Sequence, residues 1–326
     1  MKRIDSRPIP DNKEEIRSFL IVRNEALRLP STLRHHRSLG VHRFFVLDNG
    51  STDGTLDYVL AQPDVHVFST TERYSQSHCG IVWTNELLNS FGAGHWTLTI
   101  DADEQFIYPH YEQISLPIFC NYLDEVGADI VPCLLLDMYS DAPIEDTIHD
   151  PGGSLLETCG YFDREPYQLT RIIEPPYLEI HGGVRERMFQ QVQALHPPRI
   201  SKASLVRWRP EAQFLSSTHT LSYSAANIAP MLATLFHFRF LSDFHERVQV
   251  EAARGEHWAN AREYDIYLQM LRQNGQVKLF CHHSENFRSS MQLVELGLMA
   301  TSKDYEQYAK SAIFVRSAQR MLATAV

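Results

Sequence analysis

Trp96-Thr97-Leu98-Thr99-Ile100-Asp101-Ala102-Asp103 is the stretch that decides the fold of this chain. Its first five residues have the length and apolar content of a central strand buried on both faces. The two aspartates that follow are two residues apart, and in extended backbone that spacing sends both side chains the same way. Both can therefore face one hard cation or its hydration shell. Mg²⁺ and Mn²⁺ take such oxygen ligands and bridge from them to substrate phosphates. A D-x-D is also expected about once by chance in a chain of this length, so a solvated turn is the competing reading.

Outward from this strand, short apolar runs recur at residues 19–22, 44–47, 65–68 and 130–136. Helix-like stretches lie between them. One opens at Pro30, a good first-turn residue, and closes at Gly40, a good C-terminal cap. Others cover residues 55–61, 77–91 and 111–126. Strand alternating with helix predicts βαβ units, an α/β fold and a mainly parallel central sheet over residues 16–136. Ligands of such sheets sit beyond the carboxyl ends of the strands.

The rhythm is lost over residues 137–198, which are rich in proline and glycine (Pro151-Gly152-Gly153, Pro175-Pro176, Gly182-Gly183, Pro197-Pro198). Long loops with short strands are expected there, shaping a substrate pocket. A strand-like run, Leu235-Phe236-His237-Phe238-Arg239-Phe240, closes a first domain of residues 1–240. Residues 241–326 form a helical C-terminal extension. Its helices are expected over 242–273 and 302–322, with Phe244, Val248, Ala252, Tyr264, Tyr267, Leu268 and Leu271 as apolar face. Thr301-x-x-Asp304 has the spacing of a capping box for the last helix.

The chain has 326 residues, 44% of them hydrophobic, which is ordinary for a protein with a buried core. Its 40 acidic and 30 basic side chains give a net charge of -10, which argues against general nucleic-acid binding. The five cysteines are widely spaced and form no C-x-x-C, as expected of free thiols in a reducing compartment. No signal peptide and no apolar run of about 20 residues is found, so a cytoplasmic location is expected.

Three strand ends carry carboxylates or amides: Arg23-Asn24-Glu25, Asp48-Asn49-Gly50-Ser51-Thr52-Asp53-Gly54-Thr55 and Asp101-Ala102-Asp103-Glu104. The second is by composition a turn, with Ser51 or Asp53 as helix cap. Asp48 also suits hydrogen bonds from a ribose or base. Among sixteen histidines, none forms H-E-x-x-H or a zinc spacing. His237 stands apart, because alternation places it with Arg239 on the face opposite the phenylalanines. It reads as a metal-diphosphate residue or as a satisfied core histidine.

Taken in order, these motifs resemble the family-2-like glycosyltransferases of the GT-A fold. The likeness is carried by FLIVRNEALRLPSTLRHHRSLGVHRFFVLDNGSTDGT and WTLTIDADEQF, and more weakly by residues 181–187, 202–219 and 235–254. The resemblance implies a GT-A fold and a nucleotide-diphosphate-sugar donor, UDP-linked, held by Asn24, Glu25, Asp48, Asp53, Asp101 and Arg185. It implies Mn²⁺ or Mg²⁺ bound by Asp101, Asp103 and His237. The acceptor would be a carbohydrate or glycolipid hydroxyl, as in polysaccharide biosynthesis, with no transmembrane segment and peripheral membrane contact left open. The Glu-Asp motif that supplies the base in many inverting relatives is missing from the expected stretch. Glu186 takes that role by position, with Asp163 and Glu179 behind it.

The implied reaction is a metal-assisted transfer, inverting if the displacement is direct. The metal neutralises charge on the leaving diphosphate and a carboxylate removes the acceptor proton. A nucleotidyltransferase that makes nucleotide sugars is the nearest rival, and a non-catalytic nucleotide-sugar-binding protein is the other. No G-x-G-x-x-G follows the first strand and no P-loop occurs.

Overall fold

Leu20 and Val22 face one side of a sheet while Phe19 and Ile21 face the other, the two-residue alternation around which the molecule is built. A computed structural model describes residues 1–172, 177–193, 198–223 and 226–324. The strands are β1 (Lys2–Arg3), β2 (Arg17–Val22), β3 (Arg43–Asp48), β4 (Val65–Ser69), β5 (Trp96–Thr99), β6 (Glu104–Ile107), β7 (Ile130–Asp137), β8 (Tyr161–Asp163), β9 (Tyr167–Ile172), β10 (Tyr177–Gly182), β11 (Ser201–Arg207), β12 (Gln213–Phe214), β13 (Leu221–Ser222), β14 (Ala233–His237) and β15 (Ser284–Asn286). The helices are α1 (Leu29–Leu39), α2 (Thr55–Ala61), α3 (Ile81–Phe91), α4 (Leu116–Glu125), α5 (Leu155–Thr158), α6 (Gly183–Gln191), α7 (Phe244–Arg254), α8 (Trp258–Gln273), α9 (Ser290–Glu295) and α10 (Lys303–Thr324).

One sheet has the order β1-β4-β3-β2-β5-β11-β7-β14-β6. Neighbours from β4 to β5 are parallel, as are β7 and β14. β11 runs antiparallel between β5 and β7, so those two strands point the same way. β1 and β6 oppose their neighbours at the two edges. The α/β class with a mainly parallel central sheet, expected from the alternating runs, is the observed architecture.

Both faces are covered. Leu20, Val22, Phe44 and Val46 pack with α1, α2 and α4, while Phe19, Phe45 and Leu47 pack with Trp83, Leu87 and Leu88 of α3. Phe19, Phe45 and Phe91 stack with successive centroids 5.0 Å apart. Phe19 and Phe45, both buried, each contribute about 2 kcal/mol of transfer free energy. Gly40 ends α1 at φ 105°, and a Cβ there would lie 2.7 Å from Pro117 Cδ, so both backbone and space demand glycine.

Several local expectations are corrected. The expected helix over 111–126 starts only after Ser115, and a 3₁₀ turn at Tyr74–Ser77 precedes α3. The helical stretch 242–273 is two helices, because Gly255 at φ 61° closes α7. The last helix is capped by Ser302, whose hydroxyl accepts the Tyr305 N–H at 3.1 Å, and not by Thr301. Residues 137–198 hold the short strands expected there, β9 paired with β10 and β8 with β15, and in addition the helix α6, which was not expected. Pro175-Pro176 and Pro197 lie outside the described residues. β6 and β11 were not anticipated as strands at all.

In the C-terminal segment, Phe244, Val248, Tyr267, Met270 and Leu271 pack on Val184, Met188 and Phe189 of α6. Tyr305 of α10 sits against Phe119 and Tyr122 of α4, and its hydroxyl donates to the Pro109 carbonyl at 2.8 Å. Among the described residues, no helix is long and apolar enough to cross a membrane.

Candidate functional site

Because β3, β2 and β5 are parallel neighbours, the residues that follow them share one edge of the sheet. A cleft opens there, lined by Arg23, Glu25, Asn49, Asp101, Ala102, Asp103 and His237, and on its far wall by Tyr74, Arg239, Arg247, Glu251, Arg254, His257 and Tyr264. A second lobe continues past Asp101, Tyr74, Arg239 and Tyr264 to Lys202, Thr218, His219 and Glu263. α7 and α8 thus supply much of one wall, which the sequence did not disclose.

The D-x-D segment forms the turn from β5 into β6. The exposed Asp101 carboxylate takes a hydrogen bond from Lys202 Nζ at 2.6 Å, and the same ammonium donates to Glu104 at 2.5 Å. Lys202 stands on β11, and its side chain is 4% exposed. Burial pushes the Glu104 carboxyl up to about 7, helped by Asp101 and opposed by Lys202. Lys202 is held above its usual range, since Asp101 and Glu104 outweigh the effect of its burial.

Asp103 faces His237, with Nε2 3.4 Å from its carboxylate. Burial disfavours its charge, yet His237 and the more distant Arg247 and Arg28 hold it well below the usual carboxylate range. His237 Nδ1 lies 2.6 Å from Asp137, the last residue of β7, to which Arg185 donates at 3.0 Å. Burial opposes the charge on His237, and Asp103 overcomes it to raise the imidazole above its ordinary value. Asp137 is held down at about 2: Arg185 and His237 outweigh the burial that would raise it.

A divalent cation at Asp101, Asp103 and His237 does not fit this arrangement. Asp101 is turned to the Lys202 ammonium, and Asp103 is ion-paired with His237 Nε2 itself. Among the described residues, no group of three or more His, Cys, Asp or Glu is disposed to hold a metal ion.

Other expected residues take different places. Asp48 is buried and accepts the N–H groups of Gly50 (3.0 Å) and Ser51 (3.2 Å), so it ties its own turn. Asn24, at φ 52°, accepts the Thr52 N–H at 2.7 Å, and its own N–H donates to Ser51 Oγ at 3.0 Å. Asp53 accepts the N–H groups of Ala26 and Thr55, each at 3.0 Å. These three residues interlock two loops and do not line the cleft. Glu25 does line it, paired with Arg247 by two bonds of 2.9 and 2.8 Å. Burial raises the Glu25 carboxyl despite that guanidinium.

Arg185 is 4% exposed and stands behind His237, so it reaches Asp137 and not the cleft. Asp163 is fully buried, gripped by Arg187 at 2.7 and 2.9 Å and by the Tyr139 hydroxyl at 2.6 Å. Glu186 accepts from Gln190 one turn along α6, and Glu179 pairs with His181. None of these three carboxylates lines the cleft.

Arg23, inside the recognised motif but given no role, lines the cleft. It donates to the Asn49 carbonyl at 2.7 Å and, among the described residues, forms no ion pair. Arg239 pairs with Glu263 at 2.6 Å, and Arg254 with Glu251 at 2.7 Å. In the first lobe four arginines (Arg23, Arg239, Arg247, Arg254) face four carboxylates (Glu25, Asp101, Asp103, Glu251), so the cleft is close to neutral inside a chain of net charge -10.

No family model matches the chain, and no curated protein matches it. Solved structures similar to it include a UTP-bound UGPase from Acinetobacter baumannii, 8% identical over 40% of this chain and 59% of that one, with TM-score 0.27. Another is a protein assigned as a glucose-1-phosphate thymidylyltransferase from Bacillus anthracis, 11% identical over 86% of this chain and 93% of that one, with TM-score 0.31. A mycobacterial protein is 20% identical over 39% of this chain and 41% of that one, with TM-score 0.24. The matched region spans about three fifths of the Acinetobacter enzyme and two fifths of the mycobacterial protein. Scores this low carry no inference about activity.

Proposed function

We propose that this chain is an enzyme acting on a nucleotide sugar, with the phosphates bound between Arg23 and the Asp101-Asp103 turn. One observation carries this: at the carboxyl edge of a mainly parallel sheet, Arg23 faces the cleft without an acidic partner among the described residues. A guanidinium so placed offers forked donors to a phosphate. It stabilises charge growing on the leaving phosphate without reorganising.

Two reactions are compatible with this cleft. The first is the glycosyl transfer implied by the resemblance, from a UDP-linked donor to a carbohydrate or glycolipid hydroxyl. The second is nucleotidyl transfer, joining a nucleoside triphosphate to a sugar 1-phosphate. A specific observation favours the second. Glu25, Asp101, Asp103, Glu251 and Glu263, the carboxylates that line the cleft among the described residues, are all ion-paired, so none of them stands free as base for a hydroxyl. A sugar 1-phosphate is already an anionic nucleophile and needs none.

Product analysis separates them. Purified protein given nucleotide sugars and candidate acceptors releases nucleoside diphosphate if it transfers sugar. Given nucleoside triphosphates and sugar 1-phosphates, it releases pyrophosphate if it transfers the nucleotide. Neither product, with nucleotide bound, would leave a binding protein.

A further inference from the structure

Lys202 occupies a strategic point in the sheet. It stands on β11, the strand inserted between β5 and β7, and its ammonium joins Asp101 (2.6 Å) to Glu104 (2.5 Å). Two carboxylates this close to one point repel each other unless a cation lies between them. A diphosphate arriving at Asp101 and Asp103 faces the same repulsion, the usual reason for a divalent ion at such a pair. Here the positive charge is already built into the chain. The ammonium borders the second lobe beside Thr218 and His219. On the other side Asp103 is met by His237, and the arginines of the first lobe balance its carboxylates.

We propose that the Lys202 ammonium takes the position of a divalent cation at the Asp101-Asp103 turn, so that nucleoside diphosphates bind without metal. This rests on the nucleotide-binding reading of the cleft. Lys202 is a buried side chain of a central strand, fixed by strands on both sides, so its charge is placed before any ligand arrives. A preplaced charge loses little freedom on binding. Asp101 and Glu104 then act as the holders of the cation and keep it beside the Asp101-Asp103 turn.

Calorimetry on the full chain tests this with UDP, GDP, ADP, CDP and dTDP, each in EDTA and in Mn²⁺. The expected result is that the best of them binds the wild type with affinities within about twofold in the two conditions. Lys202→Met should bind about tenfold more weakly in EDTA and recover with Mn²⁺, which then fills the vacated position between the carboxylates. If Lys202→Met fails to fold, Lys202→Arg keeps the charge and should still bind in EDTA, while the wild-type pair of titrations decides alone. A wild-type affinity that rises about tenfold or more with Mn²⁺ overturns the proposal and leaves the nucleotide reading intact. So does a folded Lys202→Met that binds like wild type in EDTA. No binding of any of the five in either condition overturns both.

Discussion

The Arg28 guanidinium forks onto both carboxylate oxygens of Asp243, at 2.7 and 2.5 Å, and so ties the loop before α1 to the start of α7 across 215 residues. Its Nε donates to the Phe238 carbonyl at 2.9 Å, and its side chain is 1% exposed. One arginine therefore fixes the last turn of the β14 segment, the entry to α7 and the far wall of the cleft. Arg28→Met removes the charge, leaves Asp243 unpaired and strands a buried carbonyl. Urea denaturation should show a loss of about 3 kcal/mol. A loss below about 1 kcal/mol would mean that the wall is held by apolar packing alone.

Arg23 should behave in the opposite way. It forms no ion pair among the described residues, so Arg23→Ala leaves no carboxylate stranded. The melting temperature should stay within a few degrees of wild type, while nucleotide affinity falls about tenfold, the effect of losing one charge-assisted contact. Calorimetry and a thermal melt on one sample check both halves. Unchanged affinity would remove Arg23 from the site.

Asp163 and Glu186 make a paired test. Asp163→Asn breaks a fully buried fork to Arg187 and should cost about 3 kcal/mol in denaturation, whatever happens to activity. Glu186→Gln changes an accepting side chain bonded to Gln190 one turn along α6, so stability and nucleotide binding should both be unaffected. A large fall in turnover for Glu186→Gln at wild-type stability would return the base role to that residue.

The acid limb of stability should bear the mark of Glu251. Burial works against its charge, but hydrogen bonding to His257 and the pairing with Arg254 hold its carboxyl down at about 2, from an ordinary value of 4.5. A depressed carboxyl stabilises the fold above its unfolded value, and that stability is lost as pH falls from about 4.5 toward 2. Glu251→Gln should therefore flatten the fall in stability across this window, with at most about 3 kcal/mol at stake. Urea midpoints at about pH 6, above the window, and at about pH 4 and 3, within it, read it. Parallel curves for variant and wild type would count against the pairing.

The early strands were legible because each is a short apolar run bounded by turn residues, and β2 to β5 need no distant partner to be recognised. Asp101 and Asp103 were legible by spacing, and His237 by its place on the face opposite Phe236, Phe238 and Phe240. Lys202 was not. Ser201-Lys202-Ala203-Ser204 looks like polar surface, and its burial follows from β11 being inserted between β5 and β7, a long-range fact that no local pattern encodes. The faint likeness of residues 202–219 to the family was the available signal. Arg247 and Arg254 were hidden for a related reason, since charged residues on a helix read as a solvated face until the helix is seen to wall a cleft. Asp48, Asn24 and Asp53 sit in the most recognisable motif and yet serve to lock two loops together. A turn signature and a ligand signature use the same short polar residues.

The strand order has a consequence for synthesis. Until residues 201–207 have left the ribosome, β5 has no neighbour on one side and β7 lacks both of its partners, β11 and β14. A nascent chain in that state displays apolar strands with unpaired backbone, which invite pairing with other chains. Completing the sheet requires late segments to enter its interior between strands made long before. Expression of this protein should therefore depend on how quickly residues 201–237 follow residues 96–137, and on chaperones that shield β5 and β7 in the interval.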